Sequence, residues 1–112
     1  GHPPAVLIAP DGALRTLEDP DPPCGAFTGL RFRTHRDRFA PGDVLVAYTD
    51  GLIEARRGME EFGEEGLRAA LAEAAREEPA SLARSVYGAA RAFAGGRLSD
   101  DVAIAVARRT GR

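Results

Sequence analysis

The chain has 112 residues, enough for one modest domain, and its formal charge of −2 at pH 7 gives no bulk attraction to nucleic acid or to an anionic membrane. Hydrophobic residues make up 44% of it, so a core can form, but aromatic residues are only 6% and Trp is absent, which points to thin, Ala-rich, closely packed helices. One cysteine, Cys24, excludes an internal disulfide and agrees with a reducing compartment, and the sequence shows no signal peptide and no apolar run of bilayer length, so the expectation is a cytoplasmic protein.

In chain order, Ala5-Val6-Leu7-Ile8-Ala9 reads as a strand. Pro10-Asp11-Gly12 follows with turn chemistry, and Ala13 to Leu17 reads as the returning strand of a hairpin. The segment from Glu18 to Gly29 is rich in Pro, Asp and Gly and reads as a loop. Leu30 to Phe39 starts with Leu30, Phe32 and Thr34 alternating against Arg31, Arg33 and His35, which predicts a half-exposed strand with a bulge in its second half. Pro41-Gly42-Asp43 is a turn, and Val44 to Thr49 is the most apolar strand. Beyond Asp50-Gly51 the period changes. Leu67, Ala70, Leu71 and Ala74 give Glu64 to Glu77 a helical stripe, which Pro79 closes. Leu82, Val86, Ala89, Ala90 and Phe93 predict a second helix, with Ser81 as its N-cap and Gly95-Gly96 as its end. Val102 to Ala107 is the last strand. Strands, then two helices, then a strand make an α+β pattern with a mostly antiparallel sheet.

Two acidic motifs stand out against this frame. Val44 to Thr49 delivers Asp50 at its end, and the Asp100-Asp101 pair leads into Val102 to Ala107. Two rigid strands can hold such carboxylates a few ångströms apart, at a cost in repulsion that a hard divalent cation with oxygen ligands removes. The expectation is half of a Mg²⁺ or Mn²⁺ site. An ordinary Asp-Gly turn and a capping aspartate are the bland alternatives. Asp100 is preferred to Asp101 as the ligand.

The motifs Gly1-His2-Pro3-Pro4, Ala40-Pro41-Gly42-Asp43, Leu45 to Ala55, Glu61-Phe62-Gly63 and Ser99-Asp100-Asp101-Val102-Ala103 resemble, in this order, the SpoIIE-like branch of the PPM metal-dependent serine/threonine phosphatases. The resemblance implies a sandwich of antiparallel sheets flanked by helices. It implies two Mn²⁺ or Mg²⁺ ions that activate water against a phosphoserine or phosphothreonine protein. Bacterial members often act on anti-sigma-factor antagonists in signalling and stress pathways. By motif, Asp50 and Asp100 correspond to metal ligands, Gly51 to the residue that lets the backbone approach, and Glu54 to an acidic residue near a weaker additional metal site.

The family domain is about twice this length. Its first half carries further metal contacts, in a turn of the form Gly-Asp-Val-x-Gly-His-Gly that this sequence does not contain. The expectation is that residues 1–112 are the C-terminal portion of one such domain, inactive alone and prone to self-association through open sheet edges. The rival is a non-catalytic relative that binds a partner protein. Arg31, Arg33, Arg36 and Arg38 read as a solvated edge or as a contact for a phosphoprotein. His2 reads as a support for the site loop, His35 as solvated, and Cys24 as a loop residue.

Overall fold

A computed structural model of the chain describes residues 2–17 and 21–111. Gly1, Arg112 and the start of the expected loop, Glu18 to Pro20, lie outside the described residues. Strands β1 (Val6–Ile8), β2 (Leu14–Thr16), β3 (Val44–Tyr48) and β6 (Ile104–Arg108) form one sheet in the order β2-β1-β3-β6. Every pairing in it is antiparallel. Between β3 and β6 come the short helix α1 (Asp50–Ile53), the ribbon β4 (Arg56–Arg57) with β5 (Glu60–Glu61), and helices α2 (Gly63–Ala74) and α3 (Pro79–Phe93). The α+β, antiparallel architecture is the one the sequence pattern implies.

The sheet has two unlike faces. Val44, Val46 and Tyr48 of β3 are buried on one side, and they join Leu67 and Leu71 of α2 and Leu82, Val86 and Ala90 of α3 in a single core. Ile104 and Val106 of β6 pack against the same core. Fourfold spacing of Leu82, Val86 and Ala90 keeps one stripe of α3 on the sheet. The alternate residues Leu45 and Ala47 of β3 are half-buried, and Ala105 and Ala107 of β6 are exposed on the opposite face. Register pairs Ala47 with Ala105 and Leu45 with Ala107, so this second face is apolar and made largely of small side chains.

Three local expectations change. Leu30 to Phe39 forms no strand. Residues 31–38 are exposed, and the segment is tied down instead by an Arg15–Asp37 ion pair and by the Arg109 guanidinium donating to the Phe39 carbonyl at 2.5 Å. Alternation makes a strand only where a neighbouring strand and an apolar face exist to use it. Pro79 opens α3 rather than merely closing α2, because the first helical position needs no N–H and proline presets its φ. Glu78 is therefore the N-cap residue, and Ser81, inside the helix, donates its hydroxyl to Glu77 Oε1 at 2.5 Å. The end of α3 is as expected: Gly95 and Gly96 sit at φ 75° and 94°, with the Gly96 N–H on the Arg91 carbonyl.

The sequence pattern also misses two elements. Helix α1 is a single turn, and the β4–β5 ribbon carries no apolar period. Charge holds the ribbon: Arg56 pairs with Glu61 at 2.6 Å and Arg57 with Glu60 at 3.2 Å. The Arg57 guanidinium also lies 4.6 Å from the Phe93 ring centre, which docks the ribbon on α3.

Candidate functional site

The site is built where β3 and β6 leave the sheet. The last ladder contact lies beyond both strands: the Thr49 N–H donates to the Ala103 carbonyl at 3.0 Å. The Thr49 hydroxyl then accepts the Ala103 N–H at 2.9 Å. A side chain thus replaces the backbone carbonyl that the next ladder step would need. This clasp fixes Asp50, the next residue, against the segment that carries Asp100 and Asp101.

Gly51 closes the second contact between the same segments. Its φ is not positive, so conformational freedom is not the reason for glycine. A Cβ there would stand 2.2 Å from the Asp101 carbonyl oxygen and 3.2 Å from a Val102 methyl. Only a residue without a side chain lets the two backbones meet. Leu52, fully buried, anchors α1 in the core directly behind this point.

The result is an open depression lined by His2, Pro3, Thr49, Asp50, Gly51, Asp100 and Asp101. Three of the four residues singled out by motif, Asp50, Gly51 and Asp100, therefore share one surface, together with the fallback ligand Asp101. Glu54 does not line it. Glu54 is exposed at the end of α1, where its N–H donates to the Asp50 carbonyl at 3.0 Å. The His2 ring is exposed beside the depression, with Nδ1 2.9 Å from the Pro3 carbonyl oxygen. Arg31 to Arg38 and Cys24 are exposed, and none of them lines the depression.

Asp50, Asp100 and Asp101 are exposed, and none of them enters an ion pair among the described residues. Asp100 Oδ1 accepts the Asp101 N–H at 2.7 Å, which orients one of the carboxylates. Next to the site the Tyr48 side chain is buried in the core, and its phenol pKa is raised, first by that burial and then by the negative charges of Glu64 and Asp50. Tyr48 thus stays a neutral hydroxyl beside the carboxylates.

A donor set of carboxylate oxygens suits a hard cation such as Mg²⁺ or Mn²⁺ rather than a thiolate-seeking metal. The close approach at Gly51 brings together the two segments that carry these carboxylates. Among the described residues no group of three or more His, Cys, Asp and Glu side chains is placed to hold a metal ion. The described residues by themselves thus make no metal site.

Residues 1–110 match the model of the Stage II sporulation protein E (SpoIIE) family. The chain belongs to the SpoIIE family. Its fold matches the structure of the PP2C phosphatase domain and a fragment of the regulatory domain of SpoIIE from Bacillus subtilis, with a TM-score of 0.83 and 17% identity over 98% of this chain and 32% of that one. A Mn-presoaked structure of the same phosphatase domain gives a TM-score of 0.78 and 15% identity over 100% of this chain and 49% of that one. The RsbU and RsbW domains of a Mycobacterium tuberculosis protein match with a TM-score of 0.70 and 30% identity over 100% of this chain and 32% of that one. The chain therefore spans between a third and a half of these solved chains.

Sequence reasoning on this SpoIIE-family chain names the carboxylates and misses what holds them. Thr49 stands in the motif without any sign that its hydroxyl clasps Ala103. The signal for Gly51 is present, since an Asp-Gly pair just past an apolar strand marks a turn or a close backbone approach, but its partner at Asp101 lies 50 residues away.

Proposed function

We propose that residues 1–112 are the C-terminal portion of a metal-dependent protein serine/threonine phosphatase domain, in which Asp50 and Asp100 are ligands of a Mn²⁺ or Mg²⁺ centre. The observation that carries this reading is the convergence of these two carboxylates on one depression, through the Thr49 clasp and the Gly51–Asp101 contact, in a member of the SpoIIE family. A bound divalent centre supplies an activated water and charge neutralisation at the phosphoryl group. This chain supplies carboxylates on two segments pinned together at the end of the sheet, a hydrogen bond that orients Asp100, and a dry backing of Leu52 and Tyr48. No nucleophilic side chain is needed, which agrees with Cys24 lying exposed and away from the depression.

The substrate in this reading is a phosphoserine or phosphothreonine protein, with an anti-sigma-factor antagonist as the class the family resemblance implies. The setting is a bacterial stress or signalling pathway in the cytoplasm. No helix among the described residues is long and apolar enough to cross a membrane, which agrees with that setting. The chain alone is expected to be inactive. Two observations support this: the carboxylates gathered here fall short of a full ligand set, and the Ala105–Ala107 face of the sheet is uncovered. The same shortfall favours one other reading, a phosphatase-like module that binds a partner without turnover.

Mn²⁺-dependent hydrolysis of a phosphoserine peptide separates the two. The expected result is turnover by the full-length protein and none by residues 1–112 alone. A folded full-length protein that neither hydrolyses the peptide nor binds Mn²⁺ removes the phosphatase reading and leaves the partner-binding one.

A further inference from the structure

The depression that holds Asp50 and Asp100 does not end at the carboxylates. Asp100 and Asp101 also line an adjoining hollow with Tyr87, Arg91, Arg97 and Val102. Tyr87 and Val102 in turn line a third hollow with Arg84. The three are joined by shared residues into one furrow, which runs from the carboxylate site between β6 and α3. Arg84, Tyr87 and Arg91 stand at i, i+3 and i+7, so they form one stripe of α3, beside the Leu82-Val86-Ala90 stripe that faces the core.

Charge on the α3 side of this furrow is one-sided, while Asp100 and Asp101 stand at its end next to the carboxylate depression. The chain carries 17 acidic residues, yet none lies between Glu78 and Asp100, while that stretch holds Arg84, Arg91 and Arg97. None of these three enters an ion pair among the described residues. Arg91 is held in place by its Nε donating to the Gly96 carbonyl at 3.0 Å. Tyr87, 41% exposed, adds a large ring to the floor. A solvated helix face in a chain with near-equal charge would mix signs. This one presents cations and a ring next to a site for a phosphorylated residue.

We infer that the furrow is a docking surface for an acidic segment of the phosphoprotein substrate, lying next to its phosphorylated serine or threonine. This rests on the phosphatase reading above and adds to it a sequence preference. Arg84 and Arg91 are two helical turns apart, about 10 Å at 1.5 Å per residue. A peptide in the polyproline II conformation, with three residues per turn and a rise of roughly 3.1 Å each, covers that distance in about three residues and keeps positions three apart on one side. The favoured substrate thus carries acidic residues about three positions apart, on one side of the phosphorylated residue.

The test compares two peptides on the full-length protein with Mn²⁺. Both carry a non-hydrolysable phosphonate in place of phosphoserine, and one has Glu at two positions three apart where the other has Gln. The expected result is roughly tenfold tighter binding of the Glu peptide at low salt, fading as salt rises. In an Arg84→Gln, Arg91→Gln double variant, checked for an unchanged melting temperature, the ratio between the two peptides falls towards one. Equal binding of both peptides by the unaltered protein overturns the inference, as does an unchanged ratio in the double variant. Single-stranded DNA of equal charge binding as tightly as the Glu peptide also overturns it, because the furrow is then a general polyanion surface. Hydrolysis of p-nitrophenyl phosphate by the unaltered protein is measured in parallel. Its absence counts against the phosphatase reading, whereas the peptide ratio reports on the furrow alone.

Discussion

Strand β3 carries an aspartate beside each end, and the two have opposite fates. Asp43 is 7% exposed, and the structure uses it fully. Its Oδ2 accepts the Ala40 N–H at 2.8 Å, its own N–H donates to the Ala40 carbonyl, and its carbonyl accepts the Arg109 N–H. Asp50 at the other end is exposed, and its carboxylate enters no ion pair among the described residues. Around Asp50 it is the backbone that is constrained, by Thr49 and Gly51, while the carboxylate is held out to solvent. The surrounding hydrogen bonds thus separate a carboxylate that closes a turn from the one proposed above as a metal ligand.

Substitutions at the two ends should separate these roles. The largest effect is expected from Asp50→Asn or Asp100→Asn in the full-length protein. Metal-dependent turnover should fall to background with little change in melting temperature, since no ion pair of either carboxylate is lost. Near-normal activity in either variant would make that aspartate as structural as Asp43. Gly51→Val comes next. Its side chain would meet the Asp101 carbonyl, so the two segments must separate. Overpacking of this kind costs about 1–3 kcal/mol. Both stability and Mn²⁺ binding should fall together, which a melt and a metal titration would show. Normal Mn²⁺ binding by the Gly51→Val variant would uncouple the clasp from the site.

How much of this is legible in the sequence differs between the same two ends. The four strands of the sheet, both long helices and the choice of Asp50 and Asp100 as candidates follow from apolar periods and short motifs, which are local signals. Asp43 reads from the sequence only as part of a turn, because its burial depends on Arg109, which arrives from the far end of the chain. The Leu30 to Phe39 segment shows the converse. Its alternation is a genuine strand signal, yet no strand among the described residues pairs with it, so the signal has nothing to act on. Ser81 is the better N-cap by composition, but Pro79 fixes the helix start three residues earlier than that cap would.

Asp43→Ala sharpens the comparison from the structural side. Loss of the acceptor leaves the Ala40 N–H unsatisfied in a half-buried turn, which costs about 1–3 kcal/mol. On a domain of this size each kcal/mol lowers the melting temperature by about 4–8 °C. Turnover per folded molecule should hold, because Asp43 lies at the opposite end of β3 from the depression. Asp43→Asn, which keeps an acceptor oxygen, should recover most of the loss. A fall in turnover larger than the fall in folded fraction would show that the two ends of the strand are coupled.

The smallest effect concerns a third carboxylate, Glu77, whose Oε1 accepts from the Ser81 and Ser85 hydroxyls at 2.5 and 2.8 Å. These two bonds, Ser81 first, lower its pKa below the ordinary glutamate value. A depressed carboxylate pKa stabilises the fold at pH values above the unfolded pKa, and that contribution disappears as pH falls through the folded one. The unaltered protein should therefore melt slightly above a Glu77→Gln variant at neutral pH, and the gap should close below the usual glutamate range. Glu77 is half-buried, so water still screens much of the effect. A gap that stayed constant down to acid pH would mean that the serine hydroxyls serve a protonated carboxyl as well as a carboxylate. Glu77 would then owe its place to shape, as Asp43 does in its turn, rather than to charge.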